Sequence, residues 1–363
     1  MNLQDREFRR RYERFYSTYA GVDDLLEVAE SICTHRASIH GAAFSLDISL
    51  DRVLAHLRSG RPRKRGFRVS RRSPYLISVP IVQRDSALHG SRAKAFLLAD
   101  SDDGLLCLLG LKDDFEYLWA DFQKYLRSDI TPVYLSTEDF RRAFQTLAQR
   151  VPSQAPRISG FTANVLCDDD QRVKTRREWF RTPKQQADFF GELAQERQWL
   201  RSVELVLDSP AHARGRVRRD LHFSCQDGFR SFYETVLVAL HQVGSGSTHI
   251  LENRAVVSSP TRASRPIQIS YESQVFADKR QNHRLIAVLR EMPDSALSVF
   301  HPNPFLHASL VDYADGSSYT IWVTDNAAVK VIPELKATAA SLGRLCNHIN
   351  EYFSEGTIEE IGT

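Results

Sequence analysis

Glu334 and Lys336 stand one residue apart at the end of an apolar run, VKVIPELK, with Asp312, Asp315 and Asp325 preceding them. Carboxylates in such a setting can hold a Mg2+ ion, and a neighbouring lysine can orient the water that attacks a phosphodiester. A reaction centre of this kind would use Asp315 or Asp325 with Glu334 and Lys336, and Mg2+ would be the one cofactor. Glu334 also suits the first turn of a helix opened by Pro333, where an acid complements the helix dipole.

The E-x-K spacing resembles that of restriction-endonuclease-like nucleases, and the resemblance is confined to these few residues. Arg84 and His89 have the R-x4-H spacing of HEPN-type RNases, but QRDSALHGSR reads as a loop between strands, whereas that pair needs a helix. His307-x-Ser309 is compared with the H-x-K-x4-D of phospholipase-D-like nucleases. Serine stands in the lysine's place and Ala314 in that of the aspartate, so that activity is not carried over. A phosphate-cradling G-x4-G-K-[ST] loop and a G-x-S-x-G nucleophile elbow are both absent. Asp102, Asp103 and the triplet Asp168, Asp169, Asp170 read as solvated turns. Cys33, Cys107, Cys167, Cys225 and Cys346 are dispersed, without a C-x2-C pair. They suit buried thiols in a reducing compartment better than disulfides or a metal site.

Clustered arginine is the stronger signal. From Arg58 to Arg72 the chain carries Arg58, Arg61, Arg63, Lys64, Arg65, Arg68, Arg71 and Arg72 without one acid. Guanidinium forks match phosphate oxygens, so this stretch is expected to contact nucleic acid. Two further runs add to it. One holds Arg172, Lys174, Arg176, Arg177 and Arg181 with Trp179 and Phe180; the other holds Arg214, Arg216, Arg218 and Arg219. Aromatics interleaved with arginine suit single strands, where bases stack while cations follow phosphates. All three runs are expected in or beside loops. Arginine is also in excess over lysine along the whole chain, as a GC-rich bacterial genome would produce, so the clustering and not the excess is informative.

The elements that must carry these residues are mixed. Residues 1–60 read as a helical N-terminal region of three helices, the first with Phe8, Tyr12 and Phe15 on one face as a possible grip for a partner protein. A basic connector (61–74) leads to an α/β domain (75–152) containing the hairpin signal KAFLLAD-SDDG-LLCLLGL. A second α/β region (157–243) follows, with VRRDLHFSC as one strand. The Gly- and Ser-rich residues 244–266 read as the longest loop, and 267–363 as a C-terminal α+β region whose last helix opens at Pro333. The fold class is α+β (mixed α/β), a helical N-terminal cap followed by one or two mixed-sheet domains with flanking helices.

Hydrophobic residues make up 42% of the 363 and charged residues 26%, enough for sizeable cores, and no apolar run approaches bilayer-spanning length. The charged start MNLQDREFRRRYERFY has no apolar leader segment. A net charge of +3 makes the basicity local. These features together lead to the expectation of a cytoplasmic, non-catalytic subunit, without a membrane, that contacts DNA or RNA through the Arg58–Arg72 stretch and through Arg176, Arg177 and Trp179. It would work beside a partner protein in a nucleic-acid-processing or antiviral defence complex. The alternatives are the Mg2+-dependent nuclease and a protein-protein scaffold.

Overall fold

The computed structural model describes residues 21–33, 37–46, 49–59, 65–67, 70–73, 76–83, 94–99, 106–126, 130–150, 156–166, 173–180, 189–208, 212–255 and 265–361. The fold is α+β, with two antiparallel sheets. The first helix expected at the N-terminus, with Phe8, Tyr12 and Phe15, lies outside the described residues. The next two are present as α1 (Val22–Cys33) and α2 (Leu50–Ser59).

Between them runs a strand that periodicity did not predict, β1 (Ile39–Leu46). It pairs antiparallel with β6 (Leu106–Leu111) on one side and β12 (His222–Asp227) on the other, which makes it central to the larger sheet. Its sequence, IHGAAFSL, has small residues where it must pass between large ones. A Cβ at Gly41 would lie 2.3 Å from Phe223 Cζ and 2.7 Å from the Leu108 carbonyl oxygen. Ile39 and Ala43 enter one core while Ala42 and Phe44 enter another, so the strand is apolar on both faces and shows no alternation.

The larger sheet has twelve strands. Its first half holds β2 (Arg65–Phe67), β4 (Leu76–Gln83), β5 (Lys94–Ala99), β6 and β1, with β3 (Ser70–Ser73) also on β4 and β7 (Ile130–Pro132) also on β1. Beyond β1 follow β12, β11 (Ala213–Arg218), β10 (Gln198–Leu207), β8 (Arg157–Leu166) and β9 (Val173–Trp179). Strands from the regions expected to be separate thus share one sheet. The expected single strand VRRDLHFSC is instead the end of β11, a tight turn at Arg219–Leu221 and the start of β12. Leu221 takes a positive φ of 52° there while its side chain is wholly buried. A buried leucine gives no sequence hint of a turn.

One face of this sheet is covered by α1, α4 (Thr137–Arg150), α5 (Phe189–Gln195) and a long helical run. That run comprises Phe229–Ser231, a π-helical stretch Phe232–Leu237, and α6 (Val238–Arg254). On the opposite face, among the described residues, α2 and α3 (Lys112–Leu126) pack on the β1, β4, β5 and β6 half. The glycine-serine stretch expected as a loop belongs to α6 up to Arg254. Gly244 is the point of close approach, where a Cβ would meet Val133 Cγ1 at 2.5 Å and Leu135 Cδ2 at 2.9 Å.

The second sheet has six strands in the order β14 (Ser295–His301), β15 (Leu306–Asp312), β16 (Ser317–Asp325), β17 (Ala328–Pro333), β13 (Ile267–Ser270) and β18 (Thr357–Glu360). Helices α7 (Arg280–Arg290) and α8 (Ala339–Tyr352) pack on one of its faces. The final helix starts at Ala339, not near Pro333, because Thr338 caps it by accepting a hydrogen bond from the Ser341 N–H at 3.1 Å. Among the described residues no helix is long and apolar enough to cross a membrane.

Candidate anion-binding face

Strand β11 reads A-R-G-R-V-R, and the strand period of two sends its residues to opposite sides. Ala213, Gly215 and Val217 are buried. Gly215 has no alternative there, since a Cβ would fall 2.5 Å from Phe232 Cε2. Arg214, Arg216 and Arg218 therefore project together from the face of the sheet opposite that core, at steps of about 6.7 Å.

The ladder register says what lies beside them. One row crosses the sheet as His40, Ser224, Arg216, Glu204, Gly160 and Trp179. The next runs Arg218, Ser202, Thr162 and Arg177. Arg216 donates to the Ser202 hydroxyl from Nε at 3.0 Å and Nη2 at 2.8 Å, and reaches Thr162 Oγ1 at 3.4 Å. Arg214 and Arg216 pair with no carboxylate among the described residues. Burial pulls the Arg216 pKa below its ordinary value. Glu204 opposes this, and the like charges of Arg177, Arg218 and Arg201 add to it. The guanidinium stays charged at neutral pH regardless.

The neighbouring cations are more fully matched. Arg177 Nη2 lies 3.1 Å from Glu204 Oε1, Arg218 Nη2 3.1 Å from Asp220 Oδ2, and Arg201 Nη2 2.6 Å from Glu351 Oε1. Asp220 also lies 3.0 Å from Nδ1 of His222, whose ring meets Trp119 of α3 edge-on at 4.9 Å. Burial works against ionising Asp220, but His222 and Arg218 hold its carboxyl far below the usual carboxylate range. The face is thus bounded by α3 on one side. At the other, the end of α8 contributes Glu351, whose backbone carbonyl accepts from Asn164 Nδ2 at 2.8 Å.

The expected basic residues fall into different places. Arg177 and Trp179 belong to this face. Arg176 points to the other side of β9, within 2.5 Å of Glu178 and 2.6 Å of Glu196. Lys174, Arg176 and Arg177 lie in strand β9 and Arg214, Arg216 and Arg218 in β11, with Arg219 in the turn that follows. Within the Arg58–Arg72 stretch, Arg58 is in α2, Arg65 in β2, and Arg71 and Arg72 in β3. Arg61, Arg63, Lys64, Arg68, Arg172 and Arg181, like Arg84, His89, Asp102, Asp103, Cys167 and Asp168–Asp170, lie outside the described residues. Sequence reasoning missed Ser202, Thr162, Glu204 and Gly160, which only the register brings to Arg216. The R-x-R-x-R alternation over Ala213, Gly215 and Val217 was a strand signal that could have found the face.

The acids of the E-x-K candidate are each engaged in local hydrogen bonds. Asp315 is only 2% exposed at its side chain and lies 3.7 Å from Arg344. It accepts hydrogen bonds from Thr338 Oγ1 at 2.5 Å and the Ser317 N–H at 2.9 Å. Asp325 accepts from the Ala327 N–H at 2.6 Å in the β16–β17 turn. Glu334 accepts from Thr320 Oγ1, and Lys336 Nζ donates to the Asp315 carbonyl. Asp315 and Asp325 flank opposite ends of nine-residue β16, about 30 Å apart in extended chain. Among the described residues no group of three or more His, Cys, Asp or Glu could hold a metal ion. Cys33, Cys107, Cys225 and Cys346 are buried free thiols.

On the second sheet, Phe300, His307 and Trp322 are in ring contact across β14, β15 and β16, with His307 4.9 Å from each of the other two.

No protein-family model matches this sequence, and no curated protein matches it significantly.

Proposed function

We propose that this protein binds nucleic acid, holding the phosphate backbone against the β11 arginines, as a binding component of an intracellular nucleic-acid-processing assembly. The observation that carries the reading is Arg216. It is a half-buried guanidinium fixed by two hydroxyls, crowded by three other arginines and opposed by one shared carboxylate. Arg177, Arg218 and Arg201 have carboxylates of their own, and a phosphodiester oxygen would supply the close anionic partner that Arg216 lacks. The spacing of Arg214, Arg216 and Arg218 along one strand suits consecutive phosphates better than a single small anion. The basic stretch Arg58–Arg72 extends the same proposal, and four free buried cysteines are consistent with a reducing, cytoplasmic setting.

The test is fluorescence anisotropy with labelled DNA and RNA over a salt series, for the wild type and the Arg214→Gln/Arg216→Gln variant. Neutralising about four phosphates gives a slope of log affinity against log salt near −3.6 on duplex or −2.8 on single strands. The double variant is expected to lose about two phosphates' worth of that slope, with a thermal melt confirming that it folds. Unchanged affinity and slope in the variant would refute this face as the interface.

A further inference from the structure

Trp179 ends β9 at the margin of the arginine face and leaves 49% of its surface exposed. It lies across Gly160 of β8. A Cβ built on that glycine would sit 2.8 Å from Trp179 Cε3 and 3.3 Å from Cδ2, so the six-membered ring of the indole occupies the space that any other residue's side chain would need. The next residue, Phe180, turns the other way. Its ring packs against Phe161 at 5.6 Å and Phe189 at 5.3 Å, and its N–H bonds to the Ser159 carbonyl at 3.0 Å. That anchor fixes the end of β9 and holds the indole on the outside. Arg177, two residues back on the same face, lies 4.8 Å from the indole centroid.

Among the described residues Trp179 is the one large hydrophobic side chain of the larger sheet that is left exposed. Its setting supplies what a nucleobase needs. A flat ring is seated on a glycine with the Arg177 guanidinium 4.8 Å over it, and the arginines proposed to bind phosphate lie three strands away, about 14 Å in all. Glu204 stands in that interval, paired with Arg177 at 3.1 Å, and Arg201 lies near it on β10, paired with Glu351. Bases inside a duplex stack on one another and present only their edges, so a protein ring cannot reach their faces without unstacking them. An unpaired base offers its face freely.

We infer that the strand held on this face is single-stranded and that Trp179, seated on Gly160, stacks on one of its bases. This rests on the proposed binding of phosphates by Arg214, Arg216 and Arg218, and it adds the class of nucleic acid. Trp179 is then the residue that discriminates single strand from duplex, while the arginines supply affinity to either.

Anisotropy titrations with single-stranded and duplex oligonucleotides of equal length test it. The variants are Trp179→Ala, Trp179→Phe, Gly160→Ala and Arg214→Gln/Arg216→Gln. Trp179→Ala is expected to weaken single-strand binding about tenfold, within the range for one base–aromatic stack, without changing the salt slope or the duplex affinity. Trp179→Phe should retain most of the binding. Gly160→Ala keeps the tryptophan but displaces it, and should mimic Trp179→Ala. Equal losses on duplex and single strand, or no loss on either, would overturn the stacking role while leaving the arginine reading intact. If the arginine variant also binds as the wild type does, the phosphate reading falls with it.

Discussion

Arg219 and Glu355 lie 136 residues apart and meet at 2.5 Å, with the Arg219 guanidinium 4.2 Å over the ring of Tyr134. The arginine sits in the β11–β12 turn of the large sheet, and the glutamate follows α8 in the C-terminal unit. Both Glu355 oxygens also accept the Thr137 N–H at 3.1 Å, which places a carboxylate at the N-terminus of α4. One carboxylate therefore ties the small sheet's helix to two elements of the large sheet, beside the arginine face.

Because Arg219 is only 3% exposed at its side chain, removing its partner strands a buried charge. Glu355→Ala and Arg219→Ala are each expected to destabilise the protein by about 3 kcal/mol. The double variant should cost clearly less than the sum, since the second change removes a charge already unpaired. Urea unfolding followed by circular dichroism measures all three. Strict additivity would show that the two residues do not act as a pair.

Two glycines of α6 should respond to substitution in opposite ways. At Gly246 nothing lies within 4 Å of a built Cβ, so Gly246→Ala gains helix propensity freely and should stabilise by about 0.5–1 kcal/mol. At Gly244 the added atoms run into Val133 and Leu135, and Gly244→Val should destabilise by about 1–3 kcal/mol from overpacking. Thermal melts of the two variants would expose the error if both moved the same way.

These glycines also show where sequence reading stops. G-S-G-S has the local signature of a loop, and only the approach of residues 133–135 explains a buried glycine at position 244 of a helix. In the same way Ile39–Leu46 has no alternation because both of its faces are buried, so nothing in the sequence sets it apart within the helical region expected over residues 1–60. Elements with one wet face were legible: α1, α2 and α7 by their helical period, and β15 to β17 by alternation around clear turns. Trp179 and Arg177 could be picked out as a basic-aromatic pair. Their partners could not, because Gly160, Thr162 and Ser202 reach Arg216 through ladder register, which depends on pairings between strands far apart in the chain.

Acid should weaken the C-terminal unit through Asp315. Burial raises its pKa, but hydrogen bonds from Thr338 and Ser317 and the charge of Arg344 prevail and hold it below its ordinary value of 3.8. A depressed folded-state pKa contributes stability that is complete above the unfolded value and lost as pH falls through the folded one. Asp315→Asn should therefore lower the melting temperature at pH 7, and the gap to the wild type should close below about pH 3.8. A gap of constant size down to pH 2 would mean that the charge of Asp315 contributes nothing.

Chelation separates the arginine face from the carboxylates near β16. Arg214, Arg216 and Arg218 would bind phosphate oxygens by direct charge-assisted hydrogen bonds, which need no bridging cation. Asp315 is held by Thr338, Ser317 and Arg344, and Asp325 by its own turn, at opposite ends of the strand. Affinity for labelled oligonucleotides should therefore be the same in EDTA as in Mg2+ once ionic strength is matched. Glu334→Ala should leave it unchanged too, since that carboxylate bonds to Thr320 on the other sheet. Loss of binding on chelation, restored by Mg2+ and absent in Glu334→Ala, would move the interface from the arginines of β11 to the acids of the small sheet.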